Sequence, residues 1–353
     1  MRPLRLAVDA TVVDEDTRGI GRYARALLRR IALRDDVELT LLRHGPLAFR
    51  HRGTLAAALE SDRFRIRPNA SPAQADVVWH PANGTFFHTN VPAVATIHDA
   101  VPFRFAEGDA RKREHAQAPF RRSVRSARRF VAVSNFGREE LAAVFGIAPE
   151  RIDAIYHGVE ASFAPGPAQP LPPAVPEGRY FLFVGDPESE PRKNFPLLYD
   201  AYRRAFGADR HPPSLVVAGS GAPQLPGVIH AGRIADDLHA RENDVLRALY
   251  RGAIALALAS YHETFGMPLL EAMACGTPAI ASRAGSLPEV GADAALYAPP
   301  DDAAAWATAL RRVYDDATLR DRLRRLGLER ATHFDWDEST EQHLAVFRAT
   351  AAA

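Results

Sequence analysis

Short apolar runs alternate with longer amphipathic segments along the 353 residues of the chain. Many of the short runs are apolar at every position, which is typical of parallel strands covered on both faces. The repeated order of strand and then helix predicts a parallel α/β fold. The predicted strands are residues 4–8, 38–42, 77–79, 93–97, 130–133, 180–184, 214–218, 254–259 and 279–282, and the clearest predicted helices are 22–33, 138–145, 196–205 and 303–314.

A segment rich in proline and glycine interrupts this alternation at residues 165–178. Its composition favours neither a helix nor a central strand, and it predicts a linker between two α/β domains. The alternative is a long surface loop inside one large domain. The predicted division is a first domain at 1–165, a linker at 166–178 and a second domain at 179–335.

The amino-acid composition excludes several classes of protein. Lys plus Arg (44) nearly cancels Asp plus Glu (43), so the chain as a whole is not a polyanion binder. The apolar share of 47% is enough for a sizeable core. The single cysteine, Cys275, excludes an intrachain disulfide. Without a signal-peptide pattern or a run of about 20 apolar residues, a cytoplasmic protein is expected.

The strongest chemical signal lies around Glu263 and Glu271. Pro268 suits the first turn of a helix, and the residues before it, including Gly266, offer no capping side chain. An uncapped helix N-terminus is a ready anion site. Glu263 precedes this helix and Glu271 lies one turn inside it, so both could face one cleft. Alternatively, Glu271 only complements the helix dipole and Glu263 is a solvated loop residue.

The surroundings of these glutamates closely resemble the signature of family 4 glycosyltransferases, in which two glutamates are separated by seven residues. Other segments that resemble this family are 19–23, 96–99, 133–137, 157–159 and 190–194. The resemblance implies the GT-B architecture: two Rossmann-like, doubly wound domains facing each other across a cleft. It also implies sugar transfer from a nucleoside-diphosphate sugar with retention of configuration. Residues 336–353 resemble the family's C-terminal helix, which returns to the first domain, with Trp336 as a packing anchor.

The resemblance assigns a role to each charged residue of the motifs. Arg192 and Lys193 would neutralise the departing pyrophosphate, although an isolated Arg-Lys pair is usually a surface feature. Glu271 would bind the donor ribose, and Glu263 the hydroxyls of the transferred sugar. His98 would lie beside that sugar, with Asp99 either orienting it or capping the next turn. The full set of expected donor-binding residues is Gly19, Gly21, Arg22, Ser220, Gly221, Thr264, Phe265, Gly266, Met267, Pro268, Leu269 and Glu271.

Gly19 and Gly21 also fit the glycine pattern of dinucleotide-binding proteins. About ten residues separate them from the first predicted strand, whereas that pattern requires a tight turn directly after the strand. A hydride-transferring enzyme is therefore disfavoured. The sequence instead predicts a flexible glycine loop that closes over phosphate and acceptor, with Arg22 as a phosphate contact.

No metal-binding cluster stands out in the sequence, and no aspartate pair is placed at a strand end in the D-x-D manner of metal-dependent transferases. With Arg192 and Lys193 available for the pyrophosphate, neither a metal nor a cofactor is expected. Members with an element like residues 190–194 often act in bacterial surface-polysaccharide assembly, many with GDP-mannose, which favours mannosyl transfer to a glycan or lipid-linked acceptor. Two alternatives remain: a glycoside hydrolase with Glu263 and Glu271 as its acid and nucleophile, and a non-catalytic nucleotide-sugar binding module.

Basic residues concentrate between Arg111 and Arg129. Positions 121, 125, 128 and 129 are expected to share one helical face. That face is either solvated or bound to anionic lipid headgroups on the inner side of the cytoplasmic membrane. Nucleic acid is not expected as a partner, because no aromatic residues interleave with the arginines.

Overall fold

The computed structural model describes residues 2–16, 19–45, 47–69, 74–105, 108–167, 169–176, 179–221, 223–232 and 244–353. The chain divides into two compact units. Unit 1 comprises Met1–Gly158 and Asp335–Ala353, and unit 2 comprises Val159–Phe334. The boundary therefore falls seven residues before Pro165, and the described part of the predicted linker belongs to unit 2.

Unit 1 is built on a seven-stranded sheet in the order β3-β2-β1-β4-β5-β6-β7, in which all pairings are parallel. Its strands are β1 (Leu4–Asp9), β2 (Val37–Arg43), β3 (Arg65–Pro68), β4 (Val77–His80), β5 (Ala93–Ile97), β6 (Arg129–Ala132) and β7 (Ile152–Ala154). Its helices are α1 (Thr11–Glu15), α2 (Gly19–Ala32), α3 (Arg52–Leu59), α4 (Val101–Arg104), α5 (Ala110–Ser126) and α6 (Asn135–Phe145), joined by the C-terminal helix α13 (Trp336–Ala352).

The C-terminal helix completes the core of unit 1. Trp336, Leu344 and Phe347 lie in the same buried cluster as Tyr23 of α2 and Trp79 of β4. Trp336 is only 3% exposed and packs against Tyr23, with ring centroids 6.1 Å apart. Trp336 is thus a packing residue in the structure, as predicted.

Unit 2 repeats the same plan with six strands in the order β10-β9-β8-β11-β12-β13, again all parallel. Its strands are β8 (Tyr180–Val184), β9 (Ser214–Ala218), β10 (Val228–Gly232), β11 (Ala255–Leu258), β12 (Ala279–Ser282) and β13 (Ala295–Ala298). Its helices are α7 (Phe195–Phe206), α8 (Asp244–Gly252), α9 (Met267–Ala274), α10 (Leu287–Gly291), α11 (Ala303–Asp315) and α12 (Ala317–Ala331).

In both sheets the strand order reverses beside the first strand of the unit, between β1 and β4 and between β8 and β11. This order defines the doubly wound Rossmann topology, and ligands bind at the carboxyl ends of the strands where the order reverses. The predicted fold class of two Rossmann-like units is confirmed. Among the described residues, no helix combines the length and apolar character needed to cross a bilayer.

Candidate active site

The predicted cationic pair and Glu263 meet at the point of strand reversal in unit 2. Arg192 and Lys193 lie on the loop that follows β8, and Glu263 lies on the loop that follows β11. β8 and β11 are neighbouring parallel strands, so both loops leave the same edge of the sheet. The fold therefore brings together residues that are about 70 positions apart in sequence.

The loop after β8 folds back on itself through two residues with left-handed backbone. Gly185 has φ 143°, and Asn194, which ends the loop, has φ 58°. The Asn194 amide donates to the carbonyls of Ala259 (3.1 Å) and Pro300 (2.7 Å). Because Ala259 directly follows β11, this buried amide ties the two loops together.

Glu190 anchors Arg192 within that loop. One carboxylate oxygen of Glu190 accepts from the Asp186 backbone N–H at 3.1 Å, and the other accepts from Arg192 Nη2 at 2.9 Å. The turn that precedes Arg192 is thus compact, and the Arg192 guanidinium is held toward the loop that carries Glu263.

Glu263 forms ion pairs with both cations, at 3.3 Å from Arg192 Nη1 and 3.4 Å from Lys193 Nζ. The hydroxyl of Ser260 donates to the same carboxylate at 2.9 Å. Burial raises the pKa of Glu263, but the charges of Lys193 and Arg192 and the Ser260 hydrogen bond outweigh burial and hold the pKa below its ordinary value. Glu263 is therefore ionised at neutral pH.

Glu271 has different surroundings. It lies on α9, is 1% exposed, and accepts a hydrogen bond of 2.9 Å from the hydroxyl of Tyr250 on α8. Glu263 thus pairs with two cations, whereas Glu271 accepts a hydrogen bond from the Tyr250 hydroxyl. They do not form a matched acid–base pair.

The N-terminus of α9 lacks a side-chain cap, as predicted. Gly266 occupies the N-cap position with φ 91°, and a Cβ there would lie 2.5 Å from Leu287. Pro268 has no N–H, and the N–H groups of Leu269 and Leu270 donate to the Gly266 carbonyl. This uncapped helix N-terminus therefore offers few N–H groups to an anion, because the helix begins with a tight turn. Met267 is the first-turn residue of α9 whose N–H stays available.

The other residues predicted to bind the donor in this segment differ in exposure. Phe265 and Leu269 are buried, and Phe265 packs against Phe334 with ring centroids 5.8 Å apart. Thr264 is half-buried between Glu263 and Phe265. The side chains of Phe265 and Leu269 thus belong to the core of unit 2, and only their backbone could reach a ligand.

Ser220 and Gly221 follow β9 and lie beside the same loop as Glu190. The Ser220 hydroxyl donates to Asp186 at 2.5 Å, and this hydrogen bond holds the pKa of Asp186 below its ordinary value. A Cβ on Gly221, whose φ is 68°, would lie 2.7 Å from Asp186 Oδ1. Both residues therefore border the site in unit 2.

His98 follows β5 in unit 1 and is fixed by the loop after β4. Its Nε2 lies 2.8 Å from the Pro81 carbonyl, and its backbone N–H donates to Asn83 at 2.6 Å. Because a carbonyl only accepts, Nε2 carries the proton and Nδ1 keeps its lone pair. Burial lowers the pKa of His98. The Asp99 carboxylate accepts from the Val101 N–H at 3.0 Å, so it caps the following turn.

His98 belongs to a buried group of rings around Tyr23. Tyr23 lies 4.7 Å from His98 and 5.0 Å from His157 between ring centroids, and its hydroxyl lies 2.6 Å from Nε2 of His343. Burial lowers the pKa of His157 well below its ordinary value and lowers the pKa of His343 to about 4. These histidines are therefore neutral at physiological pH.

The predicted glycine loop is wrong. Gly19 and Gly21 lie in the first turn of α2, which begins three residues earlier than the sequence predicts, and Arg22 follows them in the helix. A Cβ on Gly21 would collide with the carbonyl of Asp16. Arg25 donates to that same carbonyl at 2.7 Å. The absence of a side chain at Gly21 thus lets the backbone of Asp16 lie close to α2, and the hydrogen bond from Arg25 holds that backbone in place. Residues 17 and 18 lie outside the described residues.

The predicted basic face is also partly wrong. Helix α5 ends at Ser126, so Arg128 and Arg129 lie beyond it. Arg129 instead starts β6 and pairs with Asp153 of β7 at 2.8 Å. Within α5, Arg121 pairs with Glu114 at 2.6 Å. The exposed basic residues that remain in this region are Arg111, Lys112, Arg121, Arg125 and Arg128.

Four residues that hold predicted site residues in one unit or the other were not identified as functional in the sequence. Ser260 stands inside the recognised motif, so its distance of three positions from Glu263 was a usable signal. Glu190 likewise stands two positions from Arg192. Tyr250 and Asn83 carry no such signal, because each reaches its partner only through the tertiary fold. Among the described residues, no group of three or more His, Cys, Asp or Glu gathers in a way that could hold a metal ion.

Two protein-family models match the chain. Residues 17–163 match the family model "Glycosyltransferase Family 4", and residues 172–330 match "Glycosyl transferases group 1". The chain belongs to glycosyltransferase family 4 and is a glycosyltransferase. It is 28% identical to O-antigen chain mannosyltransferase B of Escherichia coli, over 94% of this chain and 96% of that protein. It is 30% identical to D-inositol 3-phosphate glycosyltransferase of Jonesia denitrificans, over 75% of this chain and 68% of that protein.

Solved structures show the same fold at low sequence identity. The complex of Anabaena HepE with UDP and glucose matches with a TM-score of 0.69 at 14% identity, over 99% of this chain and 100% of that one. WaaG, a glycosyltransferase involved in lipopolysaccharide biosynthesis, matches with a TM-score of 0.69 at 14% identity, over 98% of this chain and 99% of that one. These likenesses confirm the GT-B fold.

Proposed function

We propose that this glycosyltransferase moves a hexose from a nucleoside-diphosphate sugar to a glycan or lipid-linked acceptor in surface-polysaccharide synthesis, with retention of configuration. GDP-mannose is the donor we favour. The relative named O-antigen chain mannosyltransferase B, aligned over 94% of the chain, supports both the acceptor class and the sugar. The observation that carries the proposal is the pair Arg192 and Lys193 at the strand reversal of unit 2, beside Glu263.

Each group has a chemical task in this proposal. Arg192 and Lys193 stabilise the negative charge that develops on the leaving diphosphate, and stabilisation of this kind often contributes more to the rate than any other effect. Glu263 accepts hydrogen bonds from hydroxyls of the transferred sugar, and Glu271 does so from the donor ribose. The Pro81 carbonyl contacts Nε2 of His98 and leaves the Nδ1 lone pair out of that contact. His98 positions the sugar. The departing phosphate takes the proton of the acceptor hydroxyl, so no protein nucleophile is required.

The glycoside hydrolase alternative is less well supported. Such enzymes use two carboxyl groups that flank the scissile bond as acid and nucleophile, whereas the Glu263 carboxylate is paired with Arg192 and Lys193. A hydrolase also has no diphosphate for Arg192 and Lys193 to bind.

A donor panel tests the proposal directly. Purified protein would be incubated with GDP-, UDP-, ADP- and dTDP-sugars and a lipid-linked glycan acceptor, and the product followed by mass spectrometry. We expect transfer from GDP-mannose, and NMR of the first product should show the same anomeric configuration as the donor. Arg192→Gln should abolish transfer, whereas Arg322→Gln, which removes an exposed charge on α12, should not. Free sugar released without an acceptor, or an inverted product, would contradict the proposal.

We also propose that transfer requires no metal ion, because Arg192 and Lys193 supply the positive charge that a divalent ion would otherwise bring to the diphosphate. Turnover should therefore be the same in excess chelator as in buffer. Loss of turnover that added magnesium or manganese restores would refute metal independence while leaving the transferase assignment intact.

A lipid-linked acceptor would place the protein at the cytoplasmic face of a membrane, and we propose that α5 makes the contact. Its exposed Arg111, Lys112 and Arg125 would bind anionic headgroups. Co-sedimentation with vesicles containing phosphatidylglycerol should decrease with salt and with the triple substitution of these residues by Gln. The matched control replaces Arg322, Arg324 and Arg325 of α12 by Gln. Equal binding by both triple variants would exclude α5 as the contact.

A further inference from the structure

Four ionised side chains of unit 2 form one continuous array. Glu190 accepts from Arg192 at 2.9 Å, Arg192 lies 3.3 Å from Glu263, and Glu263 lies 3.4 Å from Lys193. Two positive and two negative charges make the array neutral. Both cations that are proposed to bind the diphosphate are therefore already paired in the protein without a donor.

The two carboxylates of the array are held differently. Glu190 belongs to the same short loop as Arg192, and its second oxygen accepts from the Asp186 N–H. Glu263 comes from the other loop, and the hydrogen bond to its carboxylate comes from the side chain of Ser260. The backbone of Glu263 is fixed, because its carbonyl accepts from both the N–H and the hydroxyl of Ser286. Rotation of its side chain alone would separate its carboxylate from the cations.

A diphosphate cannot simply join this array. A sugar nucleotide brings two negative charges to a place where Glu263 is 8% exposed and Lys193 is 6% exposed. Two anions competing for the same buried cations repel each other strongly when water does not screen them. We propose that the Glu263 carboxylate occupies the diphosphate position on Arg192 and Lys193 in the donor-free protein, and that the donor displaces it. This inference rests on the proposed function.

The exchange links phosphate binding to sugar binding. Once displaced, the Glu263 carboxylate has lost two cations, so it gains most from new hydroxyl donors. A bound sugar supplies those donors, whereas a bare nucleoside diphosphate does not. The protein would thereby distinguish the sugar nucleotide from the nucleoside diphosphate product, because only the sugar nucleotide supplies hydroxyls that replace the lost partners of Glu263.

Calorimetric titration of bare GDP and UDP into the full-length protein tests the exchange. Glu263→Gln removes the competing charge, so it should bind the better nucleotide about threefold to tenfold more tightly than wild type, as expected for loss of one partly buried ion-pair partner. The control Glu329→Gln removes one exposed charge from α12 and should bind like wild type. Unchanged or weaker binding by Glu263→Gln would overturn the exchange. If neither nucleotide binds any of the proteins, the proposed function fails together with the inference.

Proton uptake gives a second test on the wild-type protein. The diphosphate of a sugar nucleotide does not titrate near pH 5 to 6, so uptake on donor binding reports protein groups. Buried Glu263 without its two cations should take up protons from solution at about pH 5. Calorimetry in buffers of different ionisation enthalpy should show this uptake for GDP-mannose, or for the sugar nucleotide that the donor panel identifies. Donor binding without proton uptake by the wild-type protein would overturn the exchange, even if the variant did not fold.

Discussion

The aliphatic stem of Lys193 lies directly on the backbone of Gly185. A Cβ at Gly185 would lie 2.5 Å from Lys193 Cδ and 2.8 Å from Cε. Gly185 also has φ 143°, a region that residues with a side chain rarely adopt. The glycine at the end of β8 therefore makes room for the lysine that pairs with Glu263.

Gly185→Ala should displace Lys193 and weaken donor binding. We expect the KM for the donor to rise and turnover to fall by about tenfold or more, since misplacing a charged group by about 1 Å is costly. Steady-state kinetics across donor concentrations would measure both effects. Gly53→Ala in α3, where nothing lies within 4 Å of the added carbon, is the control. A Gly185→Ala enzyme with wild-type kinetics would show that the position of Lys193 is unimportant.

Tyr250→Phe removes the hydroxyl that donates to buried Glu271. Loss of this hydrogen bond to a buried carboxylate should lower the free energy of unfolding by about 1–3 kcal/mol. The affinity for the sugar nucleotide should also fall, because Glu271 is less firmly held. Urea unfolding and nucleotide titration would measure the two effects. Tyr202→Phe removes a hydroxyl that donates to the Pro213 carbonyl at 2.8 Å. Tyr202→Phe should affect stability alone. If both variants lost the same affinity for the nucleotide, Tyr250 would have no specific role.

Asn83→Ala removes the acceptor for the His98 backbone N–H. We expect turnover to fall about tenfold, because a positioning group in the unit 1 site is loosened. The affinity for bare nucleotide should stay unchanged, because Arg192 and Lys193 belong to unit 2. Asn83→Asp keeps an acceptor oxygen and should restore most of the turnover. Failure of aspartate to do better than alanine would show that the hydrogen bond does not matter. Asn69→Ala, on the loop after β3, serves as the control.

The buried histidines predict a loss of stability in acid. Burial lowers the pKa values of His98, His157 and His343, the last to about 4. The unfolded chain therefore binds protons below about pH 6.5 that the folded protein excludes, and stability falls from there toward pH 4. His343 alone contributes ~3 kcal/mol to this fall.

Melting temperatures between pH 7 and pH 4.5 would measure that loss. His343→Gln cannot titrate, and its melting temperature should decrease less steeply with acid than that of wild type. His115→Gln, at an exposed position of α5, should follow the wild-type curve. Parallel pH profiles for all three proteins would contradict the role of His343.

The central strands of both sheets could be predicted from the sequence, and the edge strands could not. The four missed strands are β3, β7, β10 and β13, and each lies at an edge of its sheet. β3 reads Arg-Ile-Arg-Pro, with Ile66 its least exposed side chain, and polar residues also interrupt β7 and β10, so the apolar pattern of a strand covered on both faces is absent there. β13 reads Ala-Leu-Tyr-Ala, and this apolar run is only four residues long with two partly exposed side chains.

The site was predicted through its motifs rather than its geometry. Arg192, Lys193 and Glu263 were recognised separately, but apolar periodicity does not say that β8 and β11 are neighbours. The glycine loop was predicted from a motif, and it was wrong although glycine does disfavour helices. At Gly21 that preference is overridden by the close approach of the Asp16 carbonyl, which Arg25 secures.

The discontinuity of unit 1 has a consequence for biosynthesis. The helix that carries Trp336, Leu344 and Phe347 is synthesised after all of unit 2, yet these side chains belong to the same core as residues near the N-terminus. A nascent chain can therefore bury all of unit 2 before unit 1 can close over Tyr23 and Trp79. Synthesis of this helix, rather than synthesis of the first 158 residues, is the event that completes the N-terminal domain.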